Sequence, residues 1–218
     1  MASAPSWPLW IEQQLVRRGI RDRRVLAAMA AIPREGFVPP QEQLHAGEDA
    51  PLPIGCGQTI SQPYVNALSL EALALKGSER VLDVGTGSGY QAALLTCLAA
   101  EVHTIEVHAE LLDRARANLA VYRRAPVYCH LGDGRLGWPD AAPYEGIVVG
   151  AWAREPPPAL VEQLAPGGRL VIPLGSESGQ TLVCLRKLPS GALEREELVK
   201  VRFVPLVRPP EGGRLGRR

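Results

Sequence analysis

Apolar residues recur at helical spacing from Leu9 to Arg18, a stretch closed by Gly19. They recur again at Val25, Leu26, Met29 and Ile32, between Asp22, an N-cap residue type, and Pro33. Both stretches read as packing helices with little chemistry of their own. From Phe37 to Pro53 the periodicity gives way to Pro, Gly and acids, which predicts an extended surface loop. A loop of that length in a compact domain is usually functional or disordered. A helix follows from about Tyr64 to Leu75, and then short β-branched runs alternate with helical stretches. Strands are predicted over 81–84, 101–106, 127–131, 146–150, 168–173, 181–185 and 199–204, with helices over 91–95, 111–122 and 159–164. This alternation predicts an α/β fold with a largely parallel sheet covered on both faces.

One junction holds more than packing. Val81-Leu82-Asp83-Val84 runs into Gly85-Thr86-Gly87-Ser88-Gly89-Tyr90 and then into good helix formers, a strand, tight turn and helix with three glycines at alternate positions. Such glycines permit a sharp turn and let a ligand approach the main chain. The spacing is G-x-G-x-G with an acid two residues ahead of it, in place of the G-x-G-x-x-G of dinucleotide sites. A carboxylate there suits a ligand bearing an ammonium or a sulfonium and favours S-adenosylmethionine over NAD. Glycine-rich turns also serve as plain structural bends. Glu106, at the end of the second predicted strand, lies 23 residues past Asp83. A carboxylate at that place can accept both hydroxyls of a ribose, which weighs against an accidental turn. Asp133, in Gly132-Asp133-Gly134, can accept from an adenine amino group, although Asp-Gly is also an ordinary turn dipeptide.

Composition removes several classes. A formal net charge of +1 over 218 residues creates no strong field for nucleic acid or an anionic membrane. Arginines near the end hint at RNA, but with Gly and Pro among them residues 209–218 fit a disordered, solvated tail. Cysteines at 56, 97, 129 and 184 form no C-x-x-C pair, so no zinc ribbon, metal site or thioredoxin-like motif is expected. Reduced thiols in a cytoplasm are the expectation. Neither a signal peptide nor a run long enough to span a bilayer is found. Cys56 as a nucleophile lacks a visible activating partner.

The stretch from Pro53 to Tyr64 places turn residues, two hydroxyls and an amide ahead of a helix, where hydroxyls also serve as caps. Within it stands Gln58-Thr59-Ile60-Ser61-Gln62-Pro63-Tyr64. Together with residues 83–95, Gly132-Asp133-Gly134, 164–173, 201–206, Gly19-Ile20-Arg21-Asp22 and 25–29, it makes the chain resemble the protein-L-isoaspartate O-methyltransferase family over nearly its whole length. The glycine motif is common to many methyltransferases, whereas the Thr-Ile-Ser-Gln-Pro stretch is far more specific.

The resemblance implies a Rossmann-like, doubly wound, mostly parallel sheet of the class I S-adenosylmethionine-dependent methyltransferases, with an N-terminal helical extension. It divides one structural domain into N-terminal helices and an active-site loop (1–75), a cofactor-binding core (76–188), a C-terminal strand region (189–208) and the tail. It implies methyl transfer from S-adenosyl-L-methionine to the free carboxylate of L-isoaspartyl, and D-aspartyl, residues in damaged proteins. The ester then closes unaided to a succinimide that reopens partly to normal aspartate. By the same resemblance Gly85, Thr86, Gly87 and Gly89 line the methionine part of the cofactor, with Asp83 near its amino group. Glu106 holds the ribose, and Asp133 with Gly134 the adenine. Thr59, Ile60 and Ser61 close over the methyl group, and the Ser61 hydroxyl positions the substrate carboxylate. Val201, Phe203 and Val204 belong to an edge for an extended peptide. The partners implied are isoaspartyl-containing peptides and proteins, met by a cytoplasmic monomer with no nucleic acid and no membrane. Two departures stand out: Cys56 where many bacterial members have His, and Trp152-Ala153-Arg154 in place of a small apolar turn. The second puts preference around the isoaspartate in question.

The chemistry needs little from the chain beyond alignment. A carboxyl of ordinary pKa, about 4, is ionised at neutral pH and attacks a methyl sulfonium without a general base. Charge cancels as anion meets cation, so a water-poor site favours the transition state. An RNA or small-molecule methyltransferase would share the cofactor residues, but near-neutral charge and the lack of an Asn-Pro-Pro-Tyr-like motif or a Pro-Cys nucleophile weigh against RNA. A non-catalytic binding module would have little use for Ser61 beside Asp83, Glu106 and Asp133.

Overall fold

The computed structural model describes residues 7–209. Helix α1 (Leu9–Gln14) gives way to a 3-10 turn over Val16–Arg18 that Gly19 closes in the left-handed region, so the helix predicted to run to Arg18 breaks at Leu15. Helix α2 (Arg23–Ala31) starts at Asp22, whose carboxylate accepts from the N–H groups of Arg24 and Val25.

The segment predicted as an extended surface loop does lie at the surface over much of 40–48, but it is coiled and anchored, not extended. It coils into 3-10 turns over Arg34–Phe37 and Pro40–His45, and Phe37, Val38 and Ala46 are buried. The Phe37 ring lies 5.3 Å from that of Tyr90 and 5.0 Å from that of Tyr122. The buried Arg34 guanidinium donates to the carbonyls of Ala46, Glu48 and Ala50. These anchors reach across the fold, which is why local composition does not reveal them. Next comes a hairpin absent from the sequence expectation, β1 (Leu52–Gly55) paired antiparallel with β2 (Gln58–Ile60), its tip at Cys56 and Gly57.

The core then alternates: α3 (Pro63–Leu73), β3 (Arg80–Val84), α4 (Tyr90–Leu95), β4 (Glu101–Glu106), α5 (Ala109–Tyr122), β5 (Val127–Leu131), β6 (Tyr144–Val149) and α6 (Pro158–Glu162). It ends in an antiparallel meander of β7 (Leu164–Ser176), β8 (Gly179–Lys187) and β9 (Leu193–Val201). The seven-stranded sheet has the order β5-β4-β3-β6-β7-β8-β9, parallel from β5 to β7. The predicted doubly wound α/β architecture is therefore present. Alternation along the strands splits the core: Val81, Val102 and Val148 face the layer containing α2 to α5, while Leu82, Val84 and Ile147 face α6 and Trp138.

The last strand differs from expectation. It begins at Leu193, because an edge strand tolerates the exposed run Glu194-Arg195-Glu196-Glu197, which carries no apolar signal. It stops at Val201, where the predicted strand continued to Val204, and the Phe203 N–H donates to Gln180 Oε1 at 2.9 Å instead of to a strand carbonyl. Of the predicted disordered tail, residues 210–218 lie outside those described. The chain winds from β3 toward β4 on one side and returns to β6 on the other. A crevice therefore opens above the carboxyl ends of these strands, the place where open α/β sheets bind ligands.

Candidate active site

The glycine turn sits in that crevice. The Gly85 N–H donates to the Ile105 carbonyl at 2.9 Å and the Gly150 N–H to the Val84 carbonyl at 2.8 Å, which ties the turn to the ends of β4 and β6 on either side. Gly87 has φ 55°, and a Cβ there would stand 3.0 Å from Ile54 Cδ1. Gly85 and Gly87 line a cavity with Glu106, His108, Gly134 and Gly150. Glu106 faces the turn: Oε2 accepts from the Gly87 N–H at 2.8 Å, and Oε1 from the N–H groups of Val107 and His108 at 2.8 and 3.0 Å. A carboxylate offers about four acceptor positions, so with three taken about one remains for a ligand hydroxyl. At Gly134 a Cβ would meet Val84 Cγ1 at 2.6 Å, which keeps this wall free of a side chain.

Four residues expected at the ligand, Asp83, Thr86, Gly89 and Asp133, make contacts of their own within the protein. Asp83 is fully buried beneath the turn, because the strand alternation that sends Leu82 and Val84 to one face sends it to the other. Its oxygens accept from Gln91 Nε2 at 2.7 Å and Thr104 Oγ1 at 2.8 Å. Burial pushes its carboxyl up to about 7, the two hydrogen bonds pull the other way, and Glu106 adds to the rise. Thr86 joins the same network, its hydroxyl 2.6 Å from that of Thr104, while also bordering the crevice. Gly89 packs against α5, where a Cβ would lie 3.3 Å from Ala115 Cβ and Leu119 Cγ, and lines none of the cavities at the turn. Asp133 turns to Arg135, accepting from its main-chain N–H at 3.0 Å and its Nε at 2.9 Å, with Nη2 on the other oxygen. Burial alone would raise this carboxyl, but the Arg135 bonds hold it below the ordinary value.

The hairpin strand β2 delivers the remaining residues. Thr59 borders the cavity at Glu106, and Thr59, Ile60 and Ser61 border the cradle at Gly85, Thr86 and Gly87. Thr59 and Ser61 also line a groove with Arg18, Tyr64, Val201 and Phe203. Val204, expected with the peptide edge, lies instead on the cofactor-side wall with Pro205, Leu206 and Val207. Trp152 explains this placement: its N–H donates to the Val204 carbonyl at 2.8 Å and its carbonyl accepts from Leu206 at 2.9 Å, drawing that segment over the crevice. Cys56 is exposed at the hairpin tip, and desolvation with the nearby Glu110 raises its thiol above the ordinary range, against a nucleophilic role. Gln58, His108, Gly150 and Pro205 were missed. For His108 a signal existed in its position two residues after the acid that ends the strand.

Among the described residues no cluster could hold a metal ion, and no helix is long and apolar enough to cross a membrane.

Comparison with known proteins agrees with this geometry. The family model described as protein-L-isoaspartate(D-aspartate) O-methyltransferase matches residues 10–210. Protein-L-isoaspartate O-methyltransferase 2 of Marinobacter nauticus is 56% identical over 195 residues, covering 89% of each chain. A protein-L-isoaspartate O-methyltransferase of Anaeromyxobacter dehalogenans is 54% identical over 202 residues, covering 92% of this chain and 97% of the relative. Among solved structures, one from Plasmodium falciparum, described as a protein-L-isoaspartate O-methyltransferase in complex with S-adenosyl-L-homocysteine, superposes with a TM-score of 0.78 at 28% identity. It covers 94% of this chain and 100% of that one. The chain belongs to the protein-L-isoaspartate(D-aspartate) O-methyltransferase family.

Proposed function

We propose that the family's reaction, methyl transfer from S-adenosyl-L-methionine to the free carboxylate of an L-isoaspartyl residue, runs in this chain across the wall built by Thr59, Ile60 and Ser61. The observation that carries this reading is that Ser61 borders two spaces at once, the glycine cradle and the groove beneath Val201 and Phe203. A donor on one side and an extended peptide on the other meet at this wall, which Thr59 shares with Ser61.

The residues fit the cofactor. Gly85 and Gly87 leave a cradle that β-carbons would fill, and would hold the methionine part. Glu106 would hold the ribose through its remaining acceptor position, and Gly134 would lie against the adenine, with Asp133 behind it. Asp83 acts from below, fixing the turn through Gln91 and Thr104. The cofactor supplies an activated methyl group on a sulfonium.

Ser61 then has one task, to orient the acceptor carboxylate by donating its hydroxyl hydrogen. The acceptor is already ionised at neutral pH, so no residue needs to act as a base. Alignment of this kind supplies roughly 7–11 kcal/mol in favourable cases. Val201 and Phe203 seat the peptide beside the free edge of β9. The partners are isoaspartyl-containing peptides and proteins, and four free cysteines suit a reducing cytoplasm.

The test is turnover on an isoaspartyl peptide, followed as base-labile methyl ester, for wild type and Ser61→Ala. The variant is expected to lose turnover while S-adenosyl-L-homocysteine affinity, measured by calorimetry, stays within about threefold. Equal losses of both would assign Ser61 to the cofactor instead.

A further inference from the structure

We propose that Arg34 is a positioning residue for the transfer step, acting through the main chain of Ser61; this rests on the role given to Ser61 above. Arg34 is 5% exposed, and no carboxylate pairs with it among the described residues. Both terminal nitrogens of its guanidinium are committed to main-chain carbonyls, while the buried Nε has no partner among the described residues. Nη1 donates to Ala46 at 2.9 Å and Glu48 at 3.2 Å, and Nη2 to Ala50 at 2.7 Å and Ser61 at 3.1 Å.

One rigid fork thus ties two segments that are remote in sequence. The first, 46–50, carries Asp49, which accepts from the Tyr64 N–H at 2.9 Å and from Gln62 Nε2 at 3.2 Å and so grips the residues just after Ser61. The second is Ser61 itself. A second buried donor reaches the same carbonyl, Asn66 Nδ2 at 3.3 Å. With its carbonyl held from two directions and the following residues pinned by Asp49, the Ser61 main chain has little freedom. Its hydroxyl is then presented at a fixed point between cradle and groove.

Packing alone does not account for an arginine here. An apolar side chain could fill the volume, whereas burying a guanidinium carries a desolvation cost that its hydrogen bonds must offset. What the planar fork offers is fixed geometry between carbonyls on separate segments, which the single point charge of a lysine cannot reproduce. A displacement of about 1 Å in a positioning group can cost about 100-fold in rate.

The experiment is a double-mutant cycle on kcat for an isoaspartyl peptide with wild type, Arg34→Lys, Ser61→Ala and the double variant, beside S-adenosyl-L-homocysteine affinity. Arg34→Lys is expected to lower kcat by roughly 10- to 100-fold with cofactor affinity within about threefold. In the Ser61→Ala background the same change should cost less than about threefold, because the group it positions is gone. Full multiplication of the two effects, or an unchanged kcat in Arg34→Lys, overturns the proposal while leaving Ser61 in its role. An unchanged kcat in Ser61→Ala overturns the role of Ser61 and this inference with it. Should Arg34→Lys fail to fold, Asn66→Ala removes the other donor to the same carbonyl and must show the same non-additivity with Ser61→Ala; additivity there is equally contrary.

Discussion

The main-chain N–H of Gly87 donates to the Glu106 carboxylate at 2.8 Å, joining the turn after β3 to the end of β4 across the crevice. The acid that would hold the ribose therefore also sets the shape of the cradle. Glu106→Ala should raise the Kd for S-adenosyl-L-homocysteine at least about tenfold, or about 1.4 kcal/mol. It should also lower stability by about 1–3 kcal/mol, since three main-chain N–H groups lose their acceptor. Calorimetric titration at a temperature where the variant is folded decides the first point, and an unchanged Kd refutes the ribose contact.

Gly87 and Gly89 stand two residues apart and both have positive φ, yet they should respond differently. Gly89→Ala brings a Cβ against Ala115 and Leu119 in a left-handed conformation, at a cost of about 1–2 kcal/mol. With Gly89 away from the cavity wall, cofactor affinity should stay within about threefold. Gly87→Ala puts its Cβ at the cavity wall beside Ile54, and affinity should fall about tenfold or more. Urea midpoints and cofactor titrations on the pair check both, and equal affinity losses would put Gly89 in the ligand wall.

The buried Asp83 and the half-buried His130 set opposing pH dependences. Asp83 is pushed from 3.8 up to about 7, so between those values the folded protein keeps a proton that the unfolded chain has lost. That contribution to stability falls as pH rises through the interval. His130 is pushed from 6.5 down to about 4 by burial and by the neighbouring His103, so the unfolded chain takes up a proton that the folded one refuses. That contribution rises with pH from about 4 to about 6.5. Glu79, Glu101 and Asp133, all held below their ordinary values, add stability that is lost only as pH falls below about 4.5. Wild-type stability should thus vary little between about pH 4.5 and 6.5, whereas Asp83→Asn should become more stable across that range as the His130 slope emerges. Parallel curves for the two proteins in urea would contradict the raised Asp83.

Most of the parallel core was legible because short apolar, β-branched runs announce themselves: 101–106 and 127–131 coincide with β4 and β5. The short strand β2 was not, since Gln58-Thr59-Ile60 is too brief to show alternation. Neither was the start of β9, whose charges mark an edge and not a core. At the site, Glu106 and the cradle glycines 85 and 87 read correctly as neighbours, because spacing from the strand ends fixes who meets in the crevice. The partners of Asp83 and Asp133 within the protein were not legible, because composition does not show that the fold brings Gln91 and Thr104 to the one and Arg135 to the other. Arg34 was invisible for a related reason: in Pro33-Arg34-Glu35-Gly36 it reads as a solvated turn residue, and only the tertiary fold brings four carbonyls to it.

Transfer of a tritiated methyl group to an isoaspartyl peptide, beside the same peptide with normal aspartate, tests the central claim most directly. Base-labile label on the isoaspartyl peptide alone is the predicted result. Equal labelling of the twins, or cofactor binding with no transfer to either, would contradict it.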